Sequence, residues 1–204
     1  MLVLLEGNIA AGKTTLGQAL AADERFAFIP EPVAHWQTGF AANLLERFYH
    51  DTPRWAFTMQ IGAFVTRLEM FDNLPDRAVL VFERSIYCDR HVFAKSLHQQ
   101  GLMDETEWAL YRHFWDRLSG VAPTPDAIIY LRTPAEECFR RLGVRGRAEE
   151  RGITLRYLAH LEACHDEWLL GPEAEAPVIV LDGAQTWPVE VVAGQLAALV
   201  PDRS

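Results

Sequence analysis

The first residues able to do chemistry are Gly7-Asn8-Ile9-Ala10-Ala11-Gly12-Lys13-Thr14, which fit the spacing G-x-x-x-x-G-K-[ST]. Each position has a physical reason. Glycine lets the backbone curl until its N–H groups converge on phosphate oxygens, and the helix that follows adds the positive end of its dipole. Lys13 is placed to reach the β- and γ-phosphates, and the hydroxyl of Thr14 to bind Mg²⁺. Gly7, Asn8, Ala10, Ala11, Gly12 and Thr15 complete the expected cradle for ATP. An ordinary strand–turn–helix is the bland alternative. The apolar residues 2–5 before the loop and the helix-compatible run 16–22 after it favour the phosphate loop.

Three further clusters carry charge where charge has a use. Glu31 closes a short apolar run, at the strand edge where open α/β sheets take ligands. A carboxylate there can orient an acceptor hydroxyl and receive its proton. Glu83-Arg84-Ser85 closes another run; its carboxylate can hold Mg²⁺ through water, and its guanidinium can stabilise a transferring phosphoryl group. Between Arg132 and Arg156 lie seven Arg against four Glu, a basic segment in a chain of net charge −9. Such a segment marks a place where anions are wanted.

The elements that must position these groups alternate regularly. Apolar runs at 26–29, 78–82, 127–131 and 178–181 follow the first, with long helix-compatible segments between them. This β-α alternation predicts a three-layer α/β fold, a five-stranded parallel sheet flanked by helices. Pro53 suits the start of one long helix over 55–74, Asp104 with Glu107 makes a capping box, and Pro134 suits a helix's first turn. With 204 residues and no linker, the expectation is one domain over 1–204. The acidic balance argues against a general nucleic-acid surface. Three cysteines form no C-x-x-C pair, and seven histidines show no ligand spacing, so a resident transition metal is not expected. No apolar run approaches a membrane span. A first strand beginning at Leu2 leaves no room for a leader, and the expected address is the cytoplasm.

Five motifs in order then narrow the class: PEPVAHW (30–36), NLLERFY (43–49), FTMQ (57–60), FERSIYCDRHVFA (82–94) and RRLGVRGRAEE (140–150). Together they make the chain resemble, over nearly its whole length, the deoxyribonucleoside kinases of the deoxycytidine/deoxyguanosine kinase type. The resemblance implies Glu31 as general base for the 5′-hydroxyl, Glu83 as the acid on the metal side and Arg84 as the transition-state arginine. It implies that Arg141, Arg145 and Arg147 belong to a lid over about 140–152 that closes on the ATP phosphates. Gly143 and Gly146, interrupting that run, favour a mobile loop. It also implies that Glu150, with Tyr49, receives the sugar 3′-hydroxyl, and that the chain forms a homodimer through the helices around 55–74 and 105–118. The Ala10-Ala11 pair departs from the Gly-Ser of some relatives.

For the base, Val33, Trp36, Met59, Phe64 and Phe93 are candidate walls and Gln60 a candidate amide. Asp182, after the last strand, is the candidate contact for the adenine of ATP. Arg67 lies seven residues beyond Gln60, on one helix face with it, and Asp89 lies in YCDR. Members of the family that prefer thymidine carry small or apolar residues at these two places. An ionised Asp89 accepts from an exocyclic amino group but opposes the O4 of thymine. The expected acceptors are deoxyadenosine, deoxycytidine or deoxyguanosine, with thymidine poor. Two alternatives stand beside this: a thymidylate-like nucleoside monophosphate kinase, against which Glu31 would repel the acceptor's phosphate, and a non-catalytic nucleotide-binding module. A GTP switch would want an N-K-x-D motif, which the sequence lacks.

Overall fold

The computed structural model describes residues 1–199. Five strands, β1 (Leu2–Glu6), β2 (Phe26–Ile29), β3 (Val79–Glu83), β4 (Ala127–Arg132) and β5 (Val178–Asp182), form one sheet in the order β2-β3-β1-β4-β5. All four pairings are parallel, with Leu5 opposite Glu83 on one side of β1 and opposite Ile129 on the other. β1 is buried along its whole length because helices cover both faces, which is why it reads as a continuous apolar run rather than an alternating one.

The helices are α1 (Lys13–Leu20), α2 (Val33–Thr38), α3 (Leu44–His50), α4 (Thr52–Glu69), α5 (Ile86–Cys88), α6 (Lys95–Gln99), α7 (Glu105–Leu118), α8 (Ala135–Arg145), α9 (Leu155–Leu169) and α10 (Val189–Leu199). On one face of the sheet, Val3, Leu5, Val81 and Ile129 meet Leu16 and Leu20 of α1 and Val192 and Leu196 of α10. On the other, Leu4, Phe82, Ile128 and Tyr130 meet Leu158, Leu161 and Trp168 of α9. A third cluster joins α3, α4 and α7 through Phe48, Met59, Ala63 and Tyr111. Phe64 belongs to this packing, 5.8 Å from the ring of Trp115, and it does not line the central cavity.

Several local expectations shift. α4 begins at Thr52, where the Asp51 carboxylate accepts from the Arg54 amide, and ends at Glu69 rather than 74. Its last amides, Met70, Phe71 and Asp72, bond three residues back, the tighter geometry with which helices taper, and Pro75 prevents continuation. The capping box of α7 forms as expected, with Asp104 accepting from the amides of Thr106 and Glu107. Pro134 occupies the cap of α8 rather than its first turn. Gly143 does not interrupt the arginine-rich run: α8 continues through it to Arg145, and Gly146, at φ 63°, ends the helix. A 3₁₀ turn, Ala148–Gly152, follows, so the lid segment is largely helical.

Candidate active site

The carboxyl ends of the strands open onto a cavity of about 300 Å³. Its floor is the phosphate loop. Gly7 has φ 149° and Gly12 φ 106°, and a Cβ on Gly7 would lie 2.6 Å from the Leu131 carbonyl oxygen, so only glycine fits there. Ala10, Ala11, Gly12, Lys13, Thr14 and Thr15 line the cavity. Lys13 donates through Nζ to the carbonyls of Gly7 (3.1 Å) and Asn8 (2.8 Å), and burial lowers its pKa to about 8, with Arg84 adding to the effect. Asn8 braces the loop: its side chain donates to the Leu158 carbonyl and accepts from the Ile9 amide. The Thr14 hydroxyl lies 2.9 and 3.0 Å from the two oxygens of Glu83. Two hard oxygen ligands thus converge beside the phosphate cradle, a donor set suited to Mg²⁺, which takes one or two protein groups and fills its sphere with phosphate and water.

The acceptor side is a chain of buried charges. α4 turns Met59, Gln60, Ala63 and Arg67 into the cavity, so the spacing of seven does bring Gln60 and Arg67 to one face. Arg67 donates through Nε to Asp89 (2.8 Å) and through Nη2 to Glu31 (2.6 Å), and its guanidinium lies 5.3 Å from the centre of the Trp36 ring. Arg84 Nε is 3.1 Å from the same Glu31 oxygen. Burial would raise the Glu31 carboxyl, but Arg84, Arg67 and Lys13 overturn that and hold it down at about 2. Glu31 is therefore ionised and a weak base, able to orient a hydroxyl at once and to take its proton only as the new bond forms. Asp89 is pushed up to about 6 by burial, against the pull of Arg67, and so stays ionised at neutral pH.

The sequence pairs Arg67 with Asp89 at the base, and that ion pair is present; the contact with Glu31 has no local pattern to announce it, the two residues being 36 apart in the chain. Arg67 Nη1 and Gln60 Oε1 have no hydrogen-bond partner among the described residues, which leaves one donor and one acceptor unused at the cavity wall. Val33, Trp36, Tyr49, Phe93 and Glu150 line the same cavity, with Trp36 fixed by its indole donating to Thr66. Asp89 and Phe93 come from a π-helical segment, Asp89–Ala94, a rare distortion that is frequent at functional sites.

On the donor side, Arg141 donates to the carbonyls of Ala11 (2.7 Å) and Gly183 (2.8 Å), tying the phosphate loop to the turn after β5. Arg145 and Arg147 both pair with Glu150, at 2.6 and 2.8 Å. Asp182 is not brought to the cavity. It accepts from the Ala184 amide and the Gln185 side chain, and borders a separate groove beside Trp187. A further acid escaped notice entirely: Glu6, at the end of β1, is fully buried, with neither carboxylate oxygen partnered among the described residues. Burial raises it to about 7, opposed by Arg84.

The family model for deoxynucleoside kinase matches residues 3–195. The chain belongs to the deoxynucleoside kinase family. It is 38% identical to the deoxycytidine kinase of Mus musculus and 36% identical to that of Homo sapiens, in each case over 88% of this chain and 82% of the relative. It is also 36% identical to thymidine kinase 2, mitochondrial, of Homo sapiens, over 88% of this chain and 69% of that protein. The fold and the activity expected of the five motifs therefore hold: this deoxynucleoside kinase is a phosphotransferase, with ATP the donor its family implies.

Proposed function

We propose that this kinase transfers the γ-phosphate of ATP to the 5′-hydroxyl of deoxycytidine, deoxyadenosine or deoxyguanosine, and accepts thymidine poorly. The observation that carries this reading is the buried bridge in which one side chain, Arg67, grips both Glu31 and Asp89. On this reading it would tie the carboxylate that orients the acceptor hydroxyl to the carboxylate that reads the base. In the proposed complex Glu31 orients the 5′-hydroxyl and Arg84 neutralises charge on the transferring group. Tyr49 and Glu150 receive the 3′-hydroxyl. Asp89 accepts from an exocyclic amino group, and Arg67 donates to a ring acceptor. Lys13, Arg141, Arg145 and Arg147 attend the donor phosphates. Thr14 and Glu83 would hold Mg²⁺, which supplies positive charge beside the phosphate oxygens. Incubation with ATP, Mg²⁺ and each deoxynucleoside in turn should yield 5′-monophosphates of the three amino-bearing nucleosides. Phosphorylation of thymidine ahead of all three would refute the base assignment.

Two wider proposals go with this. Val65 on α4 and Leu110 on α7 are exposed by 41% and 43%, which supports a homodimer through these helices; light scattering that returned a monomer mass would oppose it. No helix among the described residues is long and apolar enough to cross a membrane, and we propose a cytoplasmic location, testable by fractionation.

A further inference from the structure

Arg84 is held in an unusual way. Its backbone lies at φ 67°, a conformation that non-glycine residues rarely adopt, and its guanidinium is buried. Nε faces Glu31, but Nη1 donates instead to the sulfur of Cys88, 3.2 Å away. Cys88 Sγ in turn lies 3.6 Å from Nε2 of His165, a fully buried residue on α9. The direction of these bonds can be worked out. His165 Nδ1 is 2.7 Å from the Leu161 carbonyl, which can only accept, so Nδ1 carries the proton and Nε2 of the neutral ring accepts. The Cys88 S–H therefore donates to Nε2, leaving sulfur lone pairs for Arg84. Burial, with Arg84 adding to it, lowers His165 to about 3, and burial raises the Cys88 thiol well above its ordinary value, so both stay neutral. The His165 ring stacks on Tyr130 of β4 at 6.1 Å, which fixes its plane.

We propose that Cys88 and His165 are positioning residues for phosphoryl transfer, a relay from α9 through sulfur that aims the Arg84 guanidinium. The inference rests on the reading of Arg84 as the transition-state arginine. Neither residue lines the cavity, so the relay should act on turnover and leave nucleoside binding alone.

The test is the kinetics of Cys88→Ala and Cys88→Ser with ATP and deoxycytidine, alongside Arg84→Ala. Cys88→Ala keeps an apolar filling and removes the acceptor; kcat should fall about 5- to 10-fold, the equivalent of one hydrogen bond, with KM within about twofold. Cys88→Ser restores a donor and acceptor and should recover most of that loss. Simple packing predicts the reverse order, because a hydroxyl suits an apolar site less well than a methyl group. His165→Phe, similar in shape, gives an independent reading through the same fall in kcat at unchanged KM. Wild-type kcat in Cys88→Ala or in His165→Phe, or a serine variant no better than alanine, would overturn the relay. Arg84→Ala separates the two levels. If it leaves kcat intact, the role of Arg84 itself fails; if it abolishes turnover while Cys88→Ala does nothing, only the relay fails.

Discussion

The acceptor and donor sides of the cavity handle charge in opposite ways. Arg67, Arg84 and Asp89 have side chains only 3–4% exposed, and each is tied to partners on other elements. Arg141, Arg145 and Arg147 are 28–35% exposed, and the two nearest the end of α8 pair with a residue only a few positions away, Glu150. Buried charges cannot lose a partner without a large penalty, whereas partly exposed pairs contribute little and exchange readily. The acceptor side is thus set before the nucleoside arrives. The donor side keeps partly exposed arginines that can turn to phosphate, provided the buried Glu150 carboxylate gains another partner in exchange. Glu150, itself only 4% exposed, also lines the cavity, and in the proposed complex the carboxylate that holds both arginines would receive the sugar hydroxyl.

The largest effect should come from breaking the fixed side. Glu31→Gln keeps the shape and removes the charge; turnover should fall by roughly 10²-fold or more, with ATP affinity little changed. Turnover near wild type, measured at saturating substrates, would remove Glu31 from the chemistry. Next comes the exchangeable side. Arg145→Ala combined with Arg147→Ala should lower kcat by about 10-fold or more and alter nucleoside KM far less, because the lost contacts are strongest to charge in the transition state. Equal loss of nucleoside affinity with kcat unchanged would show that these arginines serve only Glu150.

A smaller effect distinguishes the two sides by pH. Asp89 titrates near 6, so lowering pH from 7.5 to 5.5 protonates it and turns an acceptor into a donor. The ratio of kcat/KM for deoxycytidine to that for thymidine should drop several-fold over this range; the ratio cancels effects common to both substrates. A constant ratio would mean that Asp89 does not read the base. The smallest effect is on stability and belongs to neither side. Glu6 has a folded pKa raised from 4.5 to about 7, so its contribution is fully present below 4.5 and is lost as pH rises through 7. Glu6→Gln escapes that loss. Its Tm should exceed that of the wild type by several degrees at pH 8 and by nothing at pH 4.5. A constant difference across pH would contradict the assignment.

Much of this arrangement was legible in the sequence because it is local. The strand runs, the phosphate loop and the seven-residue spacing of Gln60 and Arg67 each lie within one element or its edge. What was hidden depends on residues distant in the chain. The double grip of Arg67 needs Glu31, after β2, and Asp89, in the π-helical segment beyond β3, and Glu6 gives no sign of its isolation until the fold buries it beside Arg84. Gly143 misled for another reason: a helical glycine costs only about 1 kcal/mol against alanine, too little to stop a helix held against α9 by Cys138 and Leu142. Asp182 shows how little a strand-end acid reveals by itself, since its carboxylate accepts from the Ala184 amide and the Gln185 side chain of its own turn.

The central claim is that Asp89, held by Arg67, selects bases bearing an amino group. Substituting Arg67 would disturb Glu31 as well, so the direct measurement is kcat/KM for deoxycytidine and thymidine with the wild type and with Asp89→Asn, which keeps an oxygen for Arg67 and gains an N–H for the O4 of thymine. The wild type should favour deoxycytidine by about tenfold or more, corresponding to an acceptor–acceptor conflict of about 1–3 kcal/mol, and Asp89→Asn should narrow or reverse that preference. A wild-type enzyme that prefers thymidine, or a variant with the same ratio as the wild type, would contradict it.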